Sequence, residues 1–369
     1  MVACHALAAL APPDRVAPRL FGALPELSSL PFLPLAHVPT AVERCTALAP
    51  YLGRDDVWMK RDDAISPLYG GNKVRRYELL LADALAKGAT SIVTAGGLAS
   101  TQVTATAVFG RELGLPVRVV LFDQPITTFA REALLADVSA GAELLYGGGY
   151  VRTALRVVSE KRRAKGSYLI LPGAADPLSN LGYVDAMLEL ADQVARGEMP
   201  RPDVIVLPTG SSGTLAALAI GASFLGWDTE IIGVRITSRI ACNALTIGLI
   251  VRATTRFLER RSKTFAAARR APPRYRLFHG AIGPGYGEPS PAAIDGAAWM
   301  ERLIGAPGEV TYSGKALVGL RAVARDPRWA GKTILCWNTL SRARPKLAPD
   351  ARARLPRELE FAFEGEVSV

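Results

Sequence analysis

The feature that most constrains the fold is a regular alternation of short apolar segments with longer helix-forming segments. Each apolar segment is short and continuous, which is typical of a parallel sheet covered by helices on both faces. A glycine follows each of the first four predicted helices, where a helix commonly ends. The predicted helices cover residues 73–87, 101–113, 127–140, 150–165, 179–196, 213–224, 290–303 and 314–325, and the predicted strands cover residues 57–60, 91–95, 117–122, 143–146, 167–171, 203–208, 230–237 and 333–337. The sequence therefore predicts an α/β fold.

The 369-residue chain is long enough for two such α/β units, each an open, mostly parallel, twisted sheet covered by helices. The units join around residues 70–72 and again near residue 185. We predict a large domain of residues 1–75 and 186–369 and a small domain of residues 76–185. A ligand pocket is expected in the cleft between them.

Composition excludes several classes of protein. No uninterrupted apolar run reaches the ~18 residues of a membrane span, and residues 1–13 lack the basic start of a signal peptide. The four cysteines show neither zinc-site nor disulfide-framework spacing, which favours a reducing cytoplasm. With only three histidines, we expect no multi-histidine metal site. The sequence predicts a cytoplasmic protein that binds neither a metal nor a membrane.

Positive charge is concentrated in residues 252–276, which we call the basic segment. It contains nine Lys and Arg residues and one acid, Glu259, and so carries +8 of the chain's formal net charge of +10. No nucleic-acid-binding motif accompanies the charge. We therefore predict a solvated, arginine-rich helix in an insertion and no nucleic-acid partner. An anionic partner or a subunit contact is the alternative.

A lysine follows an asparagine where a glycine-rich loop leads into a predicted helix, at Gly70, Gly71, Asn72 and Lys73. We expect the Asn72 side chain to cap this helix. A lysine held at the positive end of a helix tends to have a lowered pKa, as imine formation with an aldehyde requires. An ordinary surface lysine after a turn is the alternative interpretation.

A second motif, the loop at residues 209–214, favours a reactive lysine over an ordinary surface lysine. The predicted strand 203–208 leads into a loop of small residues at 209–214 (Thr-Gly-Ser-Ser-Gly-Thr) and then into a helix. In this geometry, backbone N–H groups and the helix dipole can bind a phosphate. The loop has neither the Walker lysine nor the dinucleotide-binding glycine spacing. A held lysine and a non-nucleotide phosphate loop together indicate pyridoxal 5′-phosphate.

Over residues 30–345 the chain resembles the fold-type II (tryptophan synthase β-like) pyridoxal-phosphate enzymes, specifically D-cysteine desulfhydrase and 1-aminocyclopropane-1-carboxylate (ACC) deaminase. The most specific part of the resemblance is Lys-Arg-Asp-Asp at 60–63 with Gly-Gly-Asn-Lys at 70–73. Further matching segments lie at residues 39–43, 94–97, 180–183, 209–214, 283–287 and 312–316.

This resemblance implies a role for each site residue. Lys73 would form the Schiff base and move the α-proton, and it would act with Ser100, Tyr286 and Tyr312 as the catalytic set. The residues that would bind the cofactor are Asn72, Lys73, Gly210, Ser211, Ser212, Gly213, Thr214, Tyr312, Ser313 and Thr339. The residues that would bind the substrate are Ser100, Thr101, Gln102 and Tyr286. The pyridine nitrogen would face the hydroxyl of Ser313 or Thr339, and no metal is implied.

The resemblance implies elimination or deamination of a small amino acid, with release of a 2-oxo acid and ammonia, by a homodimer. Two departures alter the pocket. Thr101 replaces the family's asparagine, and Asn-Thr-Leu-Ser at 338–341 replaces its His-Thr-Gly-Gly. Ser313 favours the desulfhydrase side of the family, whereas Gln102 favours the ACC deaminase side. β-Replacement in a specialised pathway, or non-catalytic cofactor binding, are therefore alternatives.

Overall fold

The computed structural model describes residues 17–268, 270–305 and 308–367. The strands are β1 (Val42–Arg44), β2 (Val57–Lys60), β3 (Ser91–Gly97), β4 (Val117–Phe122), β5 (Glu143–Gly148), β6 (Ser167–Ile170), β7 (Val204–Thr209), β8 (Glu230–Arg235), β9 (Tyr275–Phe278) and β10 (Ile334–Trp337). The helices are α1 (Arg19–Ala23), α2 (Ala49–Leu52), α3 (Lys73–Ala86), α4 (Thr101–Glu112), α5 (Thr128–Ser139), α6 (Tyr150–Arg163), α7 (Pro177–Ala195), α8 (Gly213–Phe224), α9 (Ala244–Arg261), α10 (Lys263–Ala267), α11 (Pro291–Ile304) and α12 (Ser313–Ala324).

The strands form two separate sheets. One has six strands in the order β1-β2-β10-β7-β8-β9, and the other has four in the order β5-β4-β3-β6. All neighbouring strands are parallel except β1 and β2. The predicted fold class, two mostly parallel sheets with helices, is therefore confirmed.

The two sheets draw on separate parts of the chain. The four-stranded sheet lies within residues 91–170, and the six-stranded sheet uses residues 42–60 and 204–337. These ranges fall inside the predicted small and large domains, respectively. Both predicted boundaries, after residue 75 and after residue 185, fall inside helices, α3 and α7, that run from one unit into the other. The division into a large domain of residues 1–75 and 186–369 and a small domain of residues 76–185 stays a prediction.

A cluster of buried charges holds α3 in place. Lys60 at the end of β2, Asp62, Arg75 in α3 and Glu189 in α7 are all fully buried. Arg75 contacts Asp62 at 2.9 Å and Glu189 at 2.9 Å, and Lys60 Nζ lies 2.6 Å from Glu189. The two positive and two negative charges balance, as a buried ionic cluster requires. The cluster fixes the first turn of the helix that begins at Lys73.

The predicted glycine stops are present, whereas strands β1 and β9 differ from the prediction. Each of the four glycines expected to end a helix has a positive φ: Gly88, Gly114, Gly141 and Gly166. Strand β1 was not predicted. The expected helical region through the basic segment was wrong in part, because helix α10 ends at Ala267 and residues 275–278 form strand β9, parallel to β8. Pairing at the sheet edge there outweighs the polar, arginine-rich pattern.

The described residues contain neither a membrane-spanning helix nor a cluster of metal-ligating side chains. None of the helices within residues 17–268, 270–305 and 308–367 is long and apolar enough to cross a membrane. The same residues hold no group of three or more His, Cys, Asp and Glu side chains placed to ligate a metal ion. Cys45, Cys242 and Cys336 are buried free thiols, and Cys4 lies outside the described residues.

Candidate active site

A cavity of about 880 Å³ opens at the carboxyl ends of strands β3 and β7, where helices α3, α4 and α8 begin. The edge at which parallel strands end is where α/β proteins commonly bind ligands. Predicted site residues that line it are Asn72, Lys73, Ser100, Thr101, Gln102, Gly210, Ser211, Ser212, Thr214, Tyr286, Tyr312 and Thr339. Gly213 and Ser313 do not line it. Residues far apart in the sequence thus converge on one site.

Lys73 is the first residue of α3 and is buried. Its Nζ donates a hydrogen bond to Asn72 Oδ1 at 3.0 Å and has no carboxylate partner among the described residues. Burial, and then the positive charge of Arg76, lower the pKa of Lys73 from 10.5 to about 7. A large fraction of this amine is therefore neutral at neutral pH, so it can act as a nucleophile and as a base.

The Asn72 side chain does not cap helix α3, contrary to the sequence prediction. Asn72 has helical backbone angles, and its side chain turns into the cavity instead. Its Nδ2 donates to Thr214 Oγ1 at 3.1 Å, while its Oδ1 accepts from Lys73. Asn72 thus connects the lysine to the loop between β7 and α8. The lowered pKa of Lys73 follows from burial and Arg76, and not from a cap at the helix end.

The loop between β7 and α8 presents a row of unpartnered donors. Within the described residues, the backbone N–H groups of residues 210–214 donate no hydrogen bond to the protein. Ser212 adopts the left-handed region with φ of +64°, which a serine rarely does. Such a turn directs successive N–H groups toward one point, and the N-terminus of α8 adds its dipole. A loop of this geometry can bind an anion.

Arg76 lies behind this loop and was not singled out from the sequence. It is fully buried and donates to Thr214 Oγ1 at 3.0 Å and to Asn180 Oδ1 at 2.8 Å. Its Nε has no partner, and no carboxylate in the described part of the chain forms an ion pair with it. Burial lowers the pKa of Arg76 to about 10. The spacing of three residues after Lys73, one turn along α3, was the signal in the sequence.

This buried cation and the free N–H groups fit a phosphate monoester. A buried positive charge without a counter-ion is costly, and a phosphate dianion at residues 210–214 would compensate it. A side chain at Gly213 would lie 2.8 Å from Arg76 Nη2, so glycine lets the arginine approach the loop. The residues present therefore fit the phosphate of pyridoxal phosphate.

The junction between β3 and α4 also lines the cavity. Ser100 precedes α4 and makes no capping hydrogen bond with its side chain. The backbone N–H groups of Thr101 and Gln102 in the first turn point out of the helix without a partner among the described residues. The Gln102 side chain is engaged within the protein, because its Nε2 donates to Thr94 at 3.0 Å and to Thr106 at 2.9 Å. This helix end offers a second, uncharged anion site.

Two tyrosines meet beside the cavity. The hydroxyls of Tyr286 and Tyr312 lie 2.6 Å apart, with their rings nearly perpendicular. Burial raises the pKa of Tyr286 to about 12, and burial also raises the pKa of Tyr312. Both tyrosines are therefore neutral at physiological pH and can donate hydrogen bonds.

Ser313 and Thr339 are placed differently, although both were candidates for the pyridine nitrogen. Thr339 lines the cavity. The Ser313 hydroxyl instead donates to Glu309 O at 2.9 Å and accepts from Glu309 N at 3.0 Å. The Glu309 carboxylate, in turn, accepts the backbone N–H groups of Tyr312 and Ser313. Ser313 and Glu309 thus hold the turn that carries Tyr312.

Comparison with known proteins agrees with this geometry. The family model described as "Pyridoxal-phosphate dependent enzyme" matches residues 33–339. A D-cysteine desulfhydrase of Salmonella choleraesuis (strain SC-B67) is 33% identical over 306 residues, covering 80% of this chain and 89% of that protein. A solved ACC deaminase homologue is 26% identical with a TM-score of 0.72, covering 90% of this chain and 97% of its own. A maize serine racemase shares the fold, with a TM-score of 0.58 and 13% identity over 93% of this chain and 97% of its own.

Proposed function

The chain belongs to the pyridoxal-phosphate dependent enzymes, in the fold-type II group, and we propose that it catalyses α,β-elimination or deamination of an amino acid to a 2-oxo acid and ammonia. The observation that carries this proposal is Lys73, buried at the bottom of the cavity with its pKa lowered to about 7. It lines the same cavity as the loop at residues 210–214 and the start of α4, both of which present unpartnered N–H groups. When bound, the cofactor supplies an electron sink for bonds broken at the α-carbon.

Three groups would hold the cofactor. The N–H groups of residues 210–214 would bind its phosphate, and the buried guanidinium of Arg76, behind the loop, would balance the phosphate charge. Lys73 would bind it covalently through Nζ. Thr339 would face the pyridine nitrogen with a neutral hydroxyl, which does not enforce protonation of that nitrogen and so suits elimination with prompt proton return.

The remaining residues would act on the substrate. The N–H groups of Thr101 and Gln102, together with the Ser100 hydroxyl, would bind the carboxylate and orient the α-carbon toward Lys73. Lys73 Nζ, when neutral, would accept the α-proton. The Tyr286 and Tyr312 pair, neutral at physiological pH, would donate hydrogen bonds on the side of the leaving group or of the returning proton.

Thr101 gives weight to one alternative reaction, β-replacement. An asparagine amide both donates and accepts, whereas threonine offers a shorter hydroxyl and a methyl group. The wall that would contact the substrate is therefore altered, while the lysine and the phosphate loop are retained. If a second nucleophile replaced the leaving group, the 2-oxo acid would not be released, so product analysis separates the two reactions.

Covalent labelling tests the first part of the proposal. The purified protein, incubated with pyridoxal phosphate and reduced with borohydride, should carry a pyridoxyl group on Lys73 in a peptide map. Arg76→Gln should weaken cofactor binding by about tenfold to a hundredfold, because it removes a charge-assisted interaction worth ~1.5–3 kcal/mol. A label on another lysine, or none, would contradict the assignment of Lys73.

A substrate screen tests the second part. Release of a 2-oxo acid and of ammonia in equal amounts, from a panel of D- and L-amino acids, is the expected result. Lys73→Ala should abolish release without loss of folding, judged by circular dichroism. Absence of 2-oxo acid with formation of a substituted amino acid in the presence of a thiol would favour β-replacement instead.

We further propose that the enzyme acts in the cytoplasm as a homodimer. Support comes from the buried free thiols Cys45, Cys242 and Cys336, which suit a reducing compartment, and from the family resemblance for the dimer. Size-exclusion chromatography with light scattering tests the dimer. A monomer at micromolar concentration would contradict it.

A further inference from the structure

Helix α6 presents an apolar stripe to the cavity. Tyr150, Ala154, Val157 and Val158 recur at the spacing of one helix face, and all four line the cavity. A stripe of this kind normally packs into a protein core. Here it lies at the outer part of the pocket whose inner end contains Lys73.

The stripe contacts the sheet through Tyr150, whose ring packs against Phe122 of β4 with the ring centroids 4.8 Å apart. Of the residues of α6, only Thr153 and Glu160 are buried. Polar contacts also hold the helix: Glu160 pairs with Arg118 at 3.1 Å, and Lys161 Nζ donates to Ser167 O at 2.6 Å. Beyond Tyr150, the stripe residues Ala154, Val157 and Val158 remain at least partly exposed and face the cavity.

Other large apolar side chains continue this surface around the mouth of the cavity. The exposed fractions are 63% for Tyr150, 48% for Val158, 50% for Leu171 and 89% for Ile240. We call these four side chains, with Val157, the apolar wall. A contiguous exposed apolar surface of this kind marks a binding site.

The cavity also lacks charge. Among the described residues that line it, Lys73 is the one Asp, Glu, Lys, Arg or His side chain. A charged or strongly polar group on the substrate side chain would be desolvated there without a partner. At about 880 Å³, the cavity lies in the range that holds drug-sized ligands of ~300–1,000 Å³. Its size and lining exceed what a cofactor and a cysteine-sized substrate would use.

We propose that the substrate carries a bulky apolar substituent on its side chain, which binds against the apolar wall. This inference rests on the proposed function and names the substrate class for the same site. For an S-alkyl-cysteine, Lys73 accepts the α-proton, the Cβ–S bond breaks with its electron pair on sulfur, and the sulfur takes a proton. With one water consumed, the products are an alkanethiol, pyruvate and ammonia.

A homologous series of substrates tests this. The substrates are S-methyl-, S-propyl- and S-hexyl-cysteine of both configurations, and pyruvate release is measured. For the preferred enantiomer, kcat/KM should rise about threefold per methylene until the alkyl chain covers the apolar wall. S-(3-carboxypropyl)-cysteine is a charged analogue of S-butyl-cysteine. Its kcat/KM should be at least about tenfold lower than that of S-butyl-cysteine. If kcat/KM stayed constant or fell as the S-alkyl chain lengthened, the inference would be overturned.

Two aspartate variants on α6 give a matched comparison. Val158→Asp places a charge in the wall and should lower kcat/KM for the S-hexyl substrate at least about tenfold more than for the S-methyl substrate. Leu155→Asp places the same charge on the same helix, outside the cavity lining, and should leave the ratio unchanged. If both variants changed the ratio of kcat/KM values equally, or if both abolished a dimer, the stripe would be assigned to a contact between copies of the chain. Either result would overturn the inference.

A binding measurement separates failure of this inference from failure of the proposed function. β-Chloroalanine has a good leaving group and a small side chain, so its turnover reports on elimination alone. If it is not turned over, calorimetric titration of the cofactor-loaded protein with 2-aminononanoic acid and with alanine still tests the wall. Binding of the longer amino acid at least about a hundredfold more tightly is expected, and equal affinity would contradict the apolar wall.

Discussion

At the scale of single residues, the reactivity of Lys73 follows from its surroundings. Its ammonium form has a neutral partner, the amide oxygen of Asn72, and a repelling neighbour, Arg76. Neither Lys73 nor Arg76 has a carboxylate partner among the described residues, so a bound anion would stabilise both positive charges. The site is thus arranged for a ligand at the expense of the cofactor-free fold, a trade common at functional sites.

This cost can be measured in the cofactor-free protein. Because the folded pKa of Lys73 is about 7 and the ordinary value 10.5, the folded chain binds fewer protons than the unfolded chain between these pH values. Stability is therefore lost as the pH falls from 10.5 toward 7. We expect Lys73→Met to raise the free energy of unfolding at pH 7 by ~2–4 kcal/mol, with a smaller gain near pH 10.

Urea denaturation of the cofactor-free protein at both pH values measures the difference. Lys87→Met is the control. Lys87 is exposed and directly follows the last residue of the same helix, so this substitution should change the free energy of unfolding little. If the gain from Lys73→Met were the same at both pH values, it would not come from the charge on Lys73.

At the scale of elements, the buried cluster of Lys60, Asp62, Arg75 and Glu189 joins β2, α3 and α7. Although burial alone would raise it, the charges of Arg75 and Lys60 hold the pKa of Glu189 well below its ordinary value. Glu189→Gln would leave two buried cations with one carboxylate. We expect a loss of ~3–5 kcal/mol in the free energy of unfolding.

An exposed pair gives the control. Asp350 and Arg354 lie 2.9 Å apart with both side chains about half exposed, so Asp350→Asn should cost less than ~1 kcal/mol. Thermal and urea unfolding of both variants measure the contrast. A loss below 1 kcal/mol for Glu189→Gln would mean that water or relaxation compensates the lost charge, contrary to the burial described here.

The helices and central strands could be predicted because their patterns are local. Apolar continuity and glycine stops placed α3 to α8 and β3 to β8 within a few residues. The short strands β1 and β9 were missed, since each is fixed by pairing with a distant strand and not by its own pattern. The role of Lys60 and Asp62 was also invisible, because a buried ion cluster depends on Glu189, more than a hundred residues away.

In the candidate site, too, local motifs could be predicted from the sequence, whereas contacts between distant residues could not. Lys73 and the loop at residues 210–214 were predicted because each is a local motif at the start of a helix. Arg76 was missed because its importance depends on what it lacks, a carboxylate partner, and this is visible only once the neighbours are placed. The hydrogen bonds between the Ser313 hydroxyl and the Glu309 backbone were likewise not visible in the sequence, and the residue that faces the pyridine nitrogen stays a prediction.

At the scale of the whole molecule, charge is distributed unevenly. The cavity is almost uncharged, whereas the basic segment carries a formal charge of +8. Arg270 contacts Glu259, the acid already counted in that sum, at 2.9 Å, and Arg276 contacts Glu230, outside the segment, at 2.8 Å, which compensates part of the +8. Arg261 stacks on Phe257, with the guanidinium carbon 3.8 Å from the ring centroid. One residue of the segment, Arg269, lies outside the described residues.

These contacts predict how the basic segment behaves toward nucleic acid. Arginines that pair with carboxylates or stack on aromatic rings are less available to phosphates, and the end of the segment is tied into the six-stranded sheet as β9. Any binding to DNA should come from the remaining charges, so it should be weak, independent of sequence and steeply dependent on salt. Fluorescence anisotropy with two unrelated duplexes of equal length, from 50 to 200 mM salt, should show equal affinities that fall by at least about tenfold. Arg256→Glu should weaken this binding, whereas Arg352→Glu, outside the segment, should weaken it less. A strong preference for one duplex that persists at 150 mM salt would instead identify the segment as a specific nucleic-acid site.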